Sequence, residues 1–117
     1  MQLGLDSSST FVVTAAMAPG HLATVVLSTP DMFRQIEGVC AGLAASHLDE
    51  NETTVGTHVC VSHTGAAFEG ETVTIGVRVD KIDGRRITFY EEVSSPRGSI
   101  STGTHERAVI RTDRFKT

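Results

Sequence analysis

The chain lacks what several classes of protein require. Its 117 residues include no tryptophan, three prolines and two cysteines. No apolar run approaches the roughly 18 residues that a membrane-spanning helix needs, and the segment before Gly20 has neither the basic start nor the continuous apolar stretch of a signal peptide. We therefore expect a cytoplasmic protein that does not enter a membrane.

Charge and cysteine usage argue against further classes. The net charge of −4 argues against a nucleic-acid-binding protein, because such a protein needs a basic face to bind phosphates. Seven of the ten Lys and Arg residues lie between Arg85 and Lys116, which is compatible with a local anion site. The spacing of Cys40 and Cys60 matches no metal motif, and in a reducing compartment we expect both to be small buried hydrophobic residues.

The chain is predicted to form one domain over residues 1–117, because it has the length of a typical domain and no repeat or linker. Alternating apolar and polar residues, separated by turn signals, predict strands. The predicted strands are Ser8–Met17, Thr57–Ala67, Thr72–Asp80, a strand around Ile87–Val93, and Ile100–Arg111, with a hairpin turn at Asp83-Gly84. One long helix and at least four antiparallel strands make an α+β layout, in which the sheet curls around the helix to bury it.

The helix has the clearest start signal in the sequence. Ser28 and Thr29 offer a hydroxyl N-cap, and Pro30 follows at the first helical position, so we predict a helix from Pro30 to about residue 47 or 48. Its apolar residues recur at three- and four-residue steps. They are Met32, Phe33, Ile36, Val39, Cys40, Leu43, Ala44 and His47. The far face carries Gly38, Ala41, Gly42 and Ala45. Because these are small residues, we expect the helix to be enclosed rather than to lie on a surface.

Two polar residues on this helix are candidates for chemistry. Glu37 lies at the edge of the apolar arc, where a half-desolvated carboxylate suits proton transfer, although a surface glutamate beside the core is the simpler interpretation. Thr29 fits an N-cap, which alone explains it, but a hydroxyl at a helix N-terminus also suits an attacking alkoxide or an oxyanion. Because Thr29 and Glu37 are slightly more than two turns apart, their side chains lie on similar faces of the helix but cannot touch directly.

Two further candidates lie on predicted strands. By alternation His63 shares a face with Val59 and Val61, and a histidine there is either a satisfied core residue or a catalytic base. The spacing of the five histidines matches no zinc site. Arg107 leads into an apolar run and either clamps a carboxylate, a phosphate or an acyl carbonyl or pairs with a glutamate of a neighbouring strand. Those glutamates are Glu91, Glu92 and Glu106.

Three stretches together resemble a known family. They are Val55–Ala67 (VGTHVCVSHTGAA), Asp83–Arg86 (DGRR) and Gly103–Ile110 (GTHERAVI). They resemble the fluoroacetyl-CoA thioesterases, which are small hotdog-fold acyl-CoA thioesterases, and the resemblance covers roughly residues 28–115. It implies a hotdog fold, that is, an antiparallel β-sheet wrapped around one long central α-helix. It also implies a homodimer whose active sites lie between the subunits.

The resemblance also implies roles for individual residues. In that family a threonine at the helix start, a glutamate on the helix and a histidine on the next strand form the catalytic set, and these match Thr29, Glu37 and His63. The glycine that lends a backbone N–H to the thioester carbonyl matches Gly56, and the late-strand, substrate-binding arginine matches Arg107. The implied reaction is hydrolysis of a small acyl-CoA thioester without a metal or other cofactor. Whether Glu37 attacks directly or activates water is left open.

The resemblance does not extend to the acyl group, and it leaves other functions to consider. The family's phenylalanines that gate the acyl pocket have no aromatic counterpart in residues 20–24, so fluoroacyl specificity is not part of the expectation. The alternative function is a non-catalytic hotdog domain that binds an acyl-CoA or another apolar ligand. A hydratase acting on an enoyl-CoA ranks last, because the Asp and His pairing of that chemistry is not found.

Overall fold

One antiparallel sheet and one long helix make up residues 1–114, which are the part of the chain that the structure, a computed structural model, describes. The elements are β1 (Asp6–Val12), α1 (Thr29–Ala45), β2 (Glu52–Val61), β3 (Thr72–Asp83), β4 (Arg86–Ser95) and β5 (Gly98–Arg111), with 3₁₀ turns at Ala15–Met17 and Thr112–Arg114. The five strands pair in the order β1-β3-β4-β5-β2. The expected α+β layout is confirmed.

β3, β4 and β5 lie where alternation predicts them. The turn between β3 and β4 contains Gly84, whose φ of 60° favours glycine. The inward residues of the three strands form the core against α1. They are Val73, Ile75, Val77, Val79, Ile87, Phe89, Val93 and Ile100. Glu91 also occupies an inward position and is fully buried. β1 is shorter than predicted, because residues 15–17 form a 3₁₀ turn instead of extending the strand.

β2 does not have its predicted bounds. It runs over Glu52–Val61 instead of Thr57–Ala67. Beyond its end the chain stays close to β5, since the N–H of Thr64 donates to the carbonyl of Ile100 at 2.9 Å, but the regular ladder has stopped. A bulge next to Gly56 also shifts the register of β2 against β5. The β-rich composition of residues 57–67 thus begins five residues later in the chain than the strand does, and it extends beyond the end of the strand.

The N-terminus of α1 is capped by Ser28. Its Oγ accepts a hydrogen bond from the N–H of Asp31 at 3.2 Å, and Pro30 lies in the first turn. The interpretation of Thr29 as the cap is therefore wrong, because the chain enters the helix one residue earlier and Thr29 is already helical. The hydroxyl of Thr29 is left available for another partner. The helix ends at Ala45, two residues before the predicted end.

One face of α1 is buried against the sheet. Its buried residues are Met32, Ile36, Cys40, Leu43 and Ala44. Within residues 1–114 the opposite face is not covered, since Gly38, Gly42 and Ala45 are exposed. The expectation of an enclosed helix is wrong for the single chain, because the sheet covers the helix from one side. In the described part of the chain, no helix combines the length and the apolar character needed to cross a bilayer.

β2 is an edge strand with little cover. Of its ten residues Thr54 alone is buried, while Val55 and Val59 are 41% and 46% exposed. Cys60 is exposed as well, so the prediction of two buried cysteines is confirmed for Cys40 and wrong for Cys60. The reason is that an edge strand is paired on one side only, which leaves its outer backbone groups accessible.

Candidate active site

The hydroxyl of Thr29 lies at the N-terminus of α1 and hydrogen-bonds the imidazole of His63. The distance between Thr29 Oγ1 and His63 Nδ1 is 2.7 Å. His63 is half-buried and lies beyond the end of β2. The prediction that it shares a strand face with Val59 is therefore wrong. The unpaired backbone N–H groups and the dipole of α1 stabilise negative charge at this position. The pair therefore suits proton transfer next to a developing anion.

Glu37 lies at the edge of the buried face of α1, as the sequence predicts. Its side chain is 42% exposed, and its Oε2 is 3.3 Å from Nη1 of Arg107. The backbone of Gly56 lies against the same carboxylate, because a Cβ at Gly56 would be 2.9 Å from Glu37 Oε2. Such a contact is too close for a side chain, so the approach requires glycine. The carboxylate of Glu37 is thus placed between β2 and β5.

Arg107 is buried, with a side chain that is 7% exposed. Its Nε donates to Oγ1 of Thr54 at 2.8 Å, and its Nη2 donates to the carbonyl of Thr54 at 3.0 Å. Its Nη1 faces Glu37 and Nε2 of His105, the latter at 3.1 Å. Arg107 thus forms an ion pair with a carboxylate. The carboxylate is that of Glu37 on the helix rather than that of a glutamate on a neighbouring strand.

The sequence pattern does not single out His105, although the structure places it in the same group. Its Nδ1 is 3.0 Å from the carbonyl oxygen of His58, and its ring meets the ring of Phe33 edge to face, with centroids 5.3 Å apart. Burial lowers the pKa of His105 below its usual range, and the positive charge of Arg107 acts in the same direction. The run of polar residues from Ser101 to Arg107, in a strand that should alternate, is the signal that could have found it.

The five predicted site residues form two separate groups in the chain. Thr29 bonds His63, while Glu37 lies with Arg107 and Gly56. The eight residue steps from Thr29 to Glu37 amount to about 12 Å along the helix axis, and no hydrogen bond within residues 1–114 joins the two groups. The same part of the chain contains no cluster of three His, Cys, Asp or Glu residues that could hold a metal ion. A single chain thus presents two halves of a candidate active site.

The comparisons with known proteins agree with this arrangement of elements. The profile of the family of fluoroacetyl-CoA-specific thioesterases matches residues 9–113. The fluoroacetyl-CoA thioesterase of Streptantibioticus cattleyicolor is 36% identical to this chain over 90 residues. The aligned region is 77% of this chain and 65% of that relative, so the chain matches slightly less than two thirds of the relative's length.

Solved structures show the same fold. A mutant of the fluoroacetyl-CoA-specific thioesterase FlK, crystallised with fluoroacetate and CoA, superposes with a TM-score of 0.92 at 32% identity, covering 99% of this chain and 100% of that one. A hot-dog-like protein from Thermanaerovibrio acidaminovorans superposes with a TM-score of 0.89 at 24% identity, covering 98% and 93%. The second likeness concerns the fold alone. The expected hotdog fold is confirmed, and the chain belongs to the family of fluoroacetyl-CoA-specific thioesterases.

Proposed function

We propose that the protein hydrolyses a small acyl-CoA thioester to the carboxylate and free CoA, with Thr29, Glu37 and His63 at the reacting centre. The observation that carries the proposal is the 2.7 Å contact between Thr29 Oγ1 and His63 Nδ1 at the N-terminus of α1. It brings together a hydroxyl and an imidazole that are 34 residues apart in the sequence. The name of the relative from Streptantibioticus cattleyicolor and the CoA complex of FlK support thioester chemistry.

The reaction divides between the two groups of residues. Glu37 either attacks the thioester carbonyl, which gives a mixed anhydride that water then hydrolyses, or activates a water that attacks the carbonyl directly. In both routes the carbon–sulfur bond breaks and the thiolate of CoA leaves. His63 and Thr29 deliver the proton that the departing CoA thiolate needs. The backbone N–H of Gly56 polarises the carbonyl. The bulge in β2 lies directly after Gly56, which itself still pairs with Arg107 of β5.

We infer that the active site is completed in a homodimer. Glu37 and the Thr29–His63 pair are too far apart along α1 for direct contact in one chain, and β2 has an unpaired edge with exposed Val55 and Val59. Two such edges pair antiparallel about a two-fold axis. An axis near Val59 sets Gly56 of one copy opposite His63 of the other, so Glu37 of each copy approaches the threonine and histidine of its partner.

Turnover of a panel of acyl-CoA thioesters, followed by release of the free thiol, tests the proposed reaction. The variants Glu37→Gln and His63→Ala each remove a proton-transfer group, so we expect kcat/KM to fall by about 10²- to 10⁴-fold. His47→Ala, at the other end of α1, is the control and retains the wild-type rate. Unchanged hydrolysis in both site variants contradicts the proposal. Binding of acyl-CoA without turnover, with the same affinity in Glu37→Gln, indicates a non-catalytic acyl-CoA-binding protein instead.

Mixing the two inactive variants tests whether the site is shared between copies. If Glu37 of one copy works with His63 of the other, a mixed dimer of Glu37→Gln and His63→Ala chains has one intact site. Random exchange makes half of the dimers mixed with one of two sites working, so about a quarter of the wild-type activity returns. A site contained in one chain regains none, because every chain then carries a defect. Co-expression with two affinity tags isolates the mixed dimer for this measurement.

The range of substrates is tested by the same panel. Residues 20–24 carry no aromatic side chain, and Leu22 is 49% exposed. We therefore expect no preference for a fluoroacyl group over acyl groups of similar size. A marked preference for fluoroacetyl-CoA over acetyl-CoA contradicts this expectation without affecting the proposed reaction.

A further inference from the structure

His105 is a fully buried histidine with no surface exposed to solvent. Its side chain is 0% exposed and lies beneath α1, with Phe33 above its ring. Two ring nitrogens in such a place must both be satisfied by protein groups, because a buried polar atom without a hydrogen-bond partner destabilises the fold. His105 meets this requirement through the backbone of one strand and through a side chain of its own strand.

The two partners of His105 determine which nitrogen carries the proton. Nδ1 is 3.0 Å from the carbonyl oxygen of His58, and a carbonyl oxygen only accepts, so Nδ1 is the protonated nitrogen. Nε2 is then left with a lone pair, and it accepts from Nη1 of Arg107 at 3.1 Å. The ring is therefore neutral, since a proton on Nε2 would oppose an N–H to another N–H and a positive charge to the guanidinium.

The guanidinium of Arg107 is held on three sides. Thr54 accepts from Nε and Nη2 at 2.8 and 3.0 Å, and His105 accepts from Nη1. With the planar fork fixed in this way, Nη1 is also 3.3 Å from Oε2 of Glu37. Gly56 lies beside these groups, since a Cβ at Gly56 would be 3.2 Å from Cε1 of His105 and 3.5 Å from Nη1 of Arg107. These groups form a continuous floor under Glu37.

We propose that His105 is a positioning residue, which together with Thr54 holds the guanidinium of Arg107 where it fixes the carboxylate of Glu37 against the backbone of Gly56. Arg107 is then also a positioning residue rather than a group that binds substrate. Four of the five N–H groups of its fork face protein atoms, namely two on Thr54, one on His105 and one on Glu37. The consequence for turnover rests on the proposed function, because it requires Glu37 to act on the thioester.

The tautomer of His105 tests the arrangement without any substrate. NMR of the ¹⁵N-labelled full chain distinguishes protonated from unprotonated imidazole nitrogens. At neutral pH we expect a protonated Nδ1 and an unprotonated Nε2 for the His105 signal, which is assigned by its loss in His105→Gln. A protonated Nε2, alone or in an imidazolium, overturns the proposal. The result does not depend on which thioester, if any, the protein hydrolyses, so it separates this inference from the proposed function.

The consequence for catalysis is tested by two substitutions of the same residue. His105→Phe keeps a flat ring beside Phe33 and removes both nitrogens. A carboxylate misplaced by about 1 Å costs about 10²-fold in rate, so we expect kcat to fall by about that factor while KM changes less than about threefold. His105→Gln supplies an amide oxygen to accept from Arg107 and an amide N–H to donate to the His58 carbonyl. We therefore expect its kcat to be at least tenfold higher than that of His105→Phe.

A double-mutant cycle and a fold control complete the experiment. Thr54→Val acts through the same guanidinium as His105→Phe. We therefore expect the fall in kcat of the double variant to be clearly smaller than the product of the falls in the two single variants. Circular dichroism shows whether each variant is folded. If His105→Phe does not fold, the kinetics of His105→Gln and the NMR measurement still test the proposal. The proposal is overturned by a folded His105→Phe with the wild-type kcat, by equal losses in the two His105 variants, or by a rise in KM alone.

Discussion

At the scale of single residues, Gly56 determines where a carboxylate lies by having no side chain. In Gly56→Ala the new Cβ would be 2.9 Å from Oε2 of Glu37, a distance that real Cβ atoms essentially never show. The flexible end of Glu37 has to move, and we expect kcat to fall by about 10²-fold, because misplacement by about 1 Å has that effect. Gly76→Ala is the matched control, since no atom lies within 4 Å of its Cβ position. Equal activities of the two variants would mean that Glu37 does not need this position.

Glu91 is a second residue whose surroundings have a measurable consequence. It is fully buried, Ser101 Oγ donates to its Oε1 at 2.8 Å, and its Oε2 has no hydrogen-bond partner among residues 1–114. Burial raises its pKa above the ordinary value of 4.5. In the folded state Glu91 keeps its proton at pH values where the unfolded chain has lost it. Its contribution to stability is therefore complete below pH 4.5 and is lost as the pH rises towards the raised pKa of the folded state.

The expected outcome is a free energy of unfolding that falls with rising pH in this window, by at most about 1.4 kcal/mol per pH unit. Urea unfolding at a series of pH values measures it. Glu91→Gln is neutral at every pH, so its stability should lack this slope while keeping the contact to Ser101. If the two proteins show the same pH dependence, Glu91 is not the group responsible.

How far the sequence determines the site also becomes clear at this scale. Thr29 and Glu37 could be selected from their positions on the helix, but the capping role could not be assigned, because Ser28 and Thr29 both carry hydroxyls. Arg107 could be selected as a charge beside an apolar run. Its partner Thr54 could not, since Thr54 is 53 residues away and the pairing of β2 with β5 brings it close.

At the scale of elements, α1 allows two substitutions with opposite effects. Gly42 is exposed in the last turn of the helix, and among residues 1–114 no neighbouring atom lies within 4 Å of its Cβ position, so Gly42→Ala should stabilise the protein by up to about 1 kcal/mol. Ser28→Ala removes the acceptor of the Asp31 N–H and should destabilise it by about 1 kcal/mol. Urea unfolding of both variants gives the two values. Destabilisation by Gly42→Ala would show that another copy covers this face of the helix.

The strands differ in how well their sequence predicts them. β3 and β4 alternate strictly because α1 covers one face and the other face is open, so the pattern records the burial. The sequence of β2 shows no such alternation, because only one of its ten residues is buried. Its bounds follow from its pairing with β5 and from the bulge next to Gly56, and neither is visible in a local pattern.

At the scale of the whole molecule, the unpaired edge of β2 predicts the oligomeric state. Val59 is 46% exposed in the single chain, so Val59→Lys should leave the chain folded while placing a charge where the edges meet. We expect sedimentation to show a dimer for the wild type and a monomer for the variant, with thioester hydrolysis lost. Leu3→Lys, at a residue that is 65% exposed and lies before β1 at the other edge, is the control and should stay dimeric. A dimeric, active Val59→Lys variant would place the interface elsewhere.

The two cysteines differ in reactivity, and this has a practical consequence. Burial raises the pKa of the Cys40 thiol to about 12, so the nucleophilic thiolate is essentially absent at neutral pH. Cys60 is exposed on β2. Iodoacetamide should therefore alkylate one sulfur per folded polypeptide, and it should do so more slowly as self-association shields that strand. The alkylation rate, followed over a dilution series by mass spectrometry, then yields the dissociation constant of the assembly from an unmodified natural sequence.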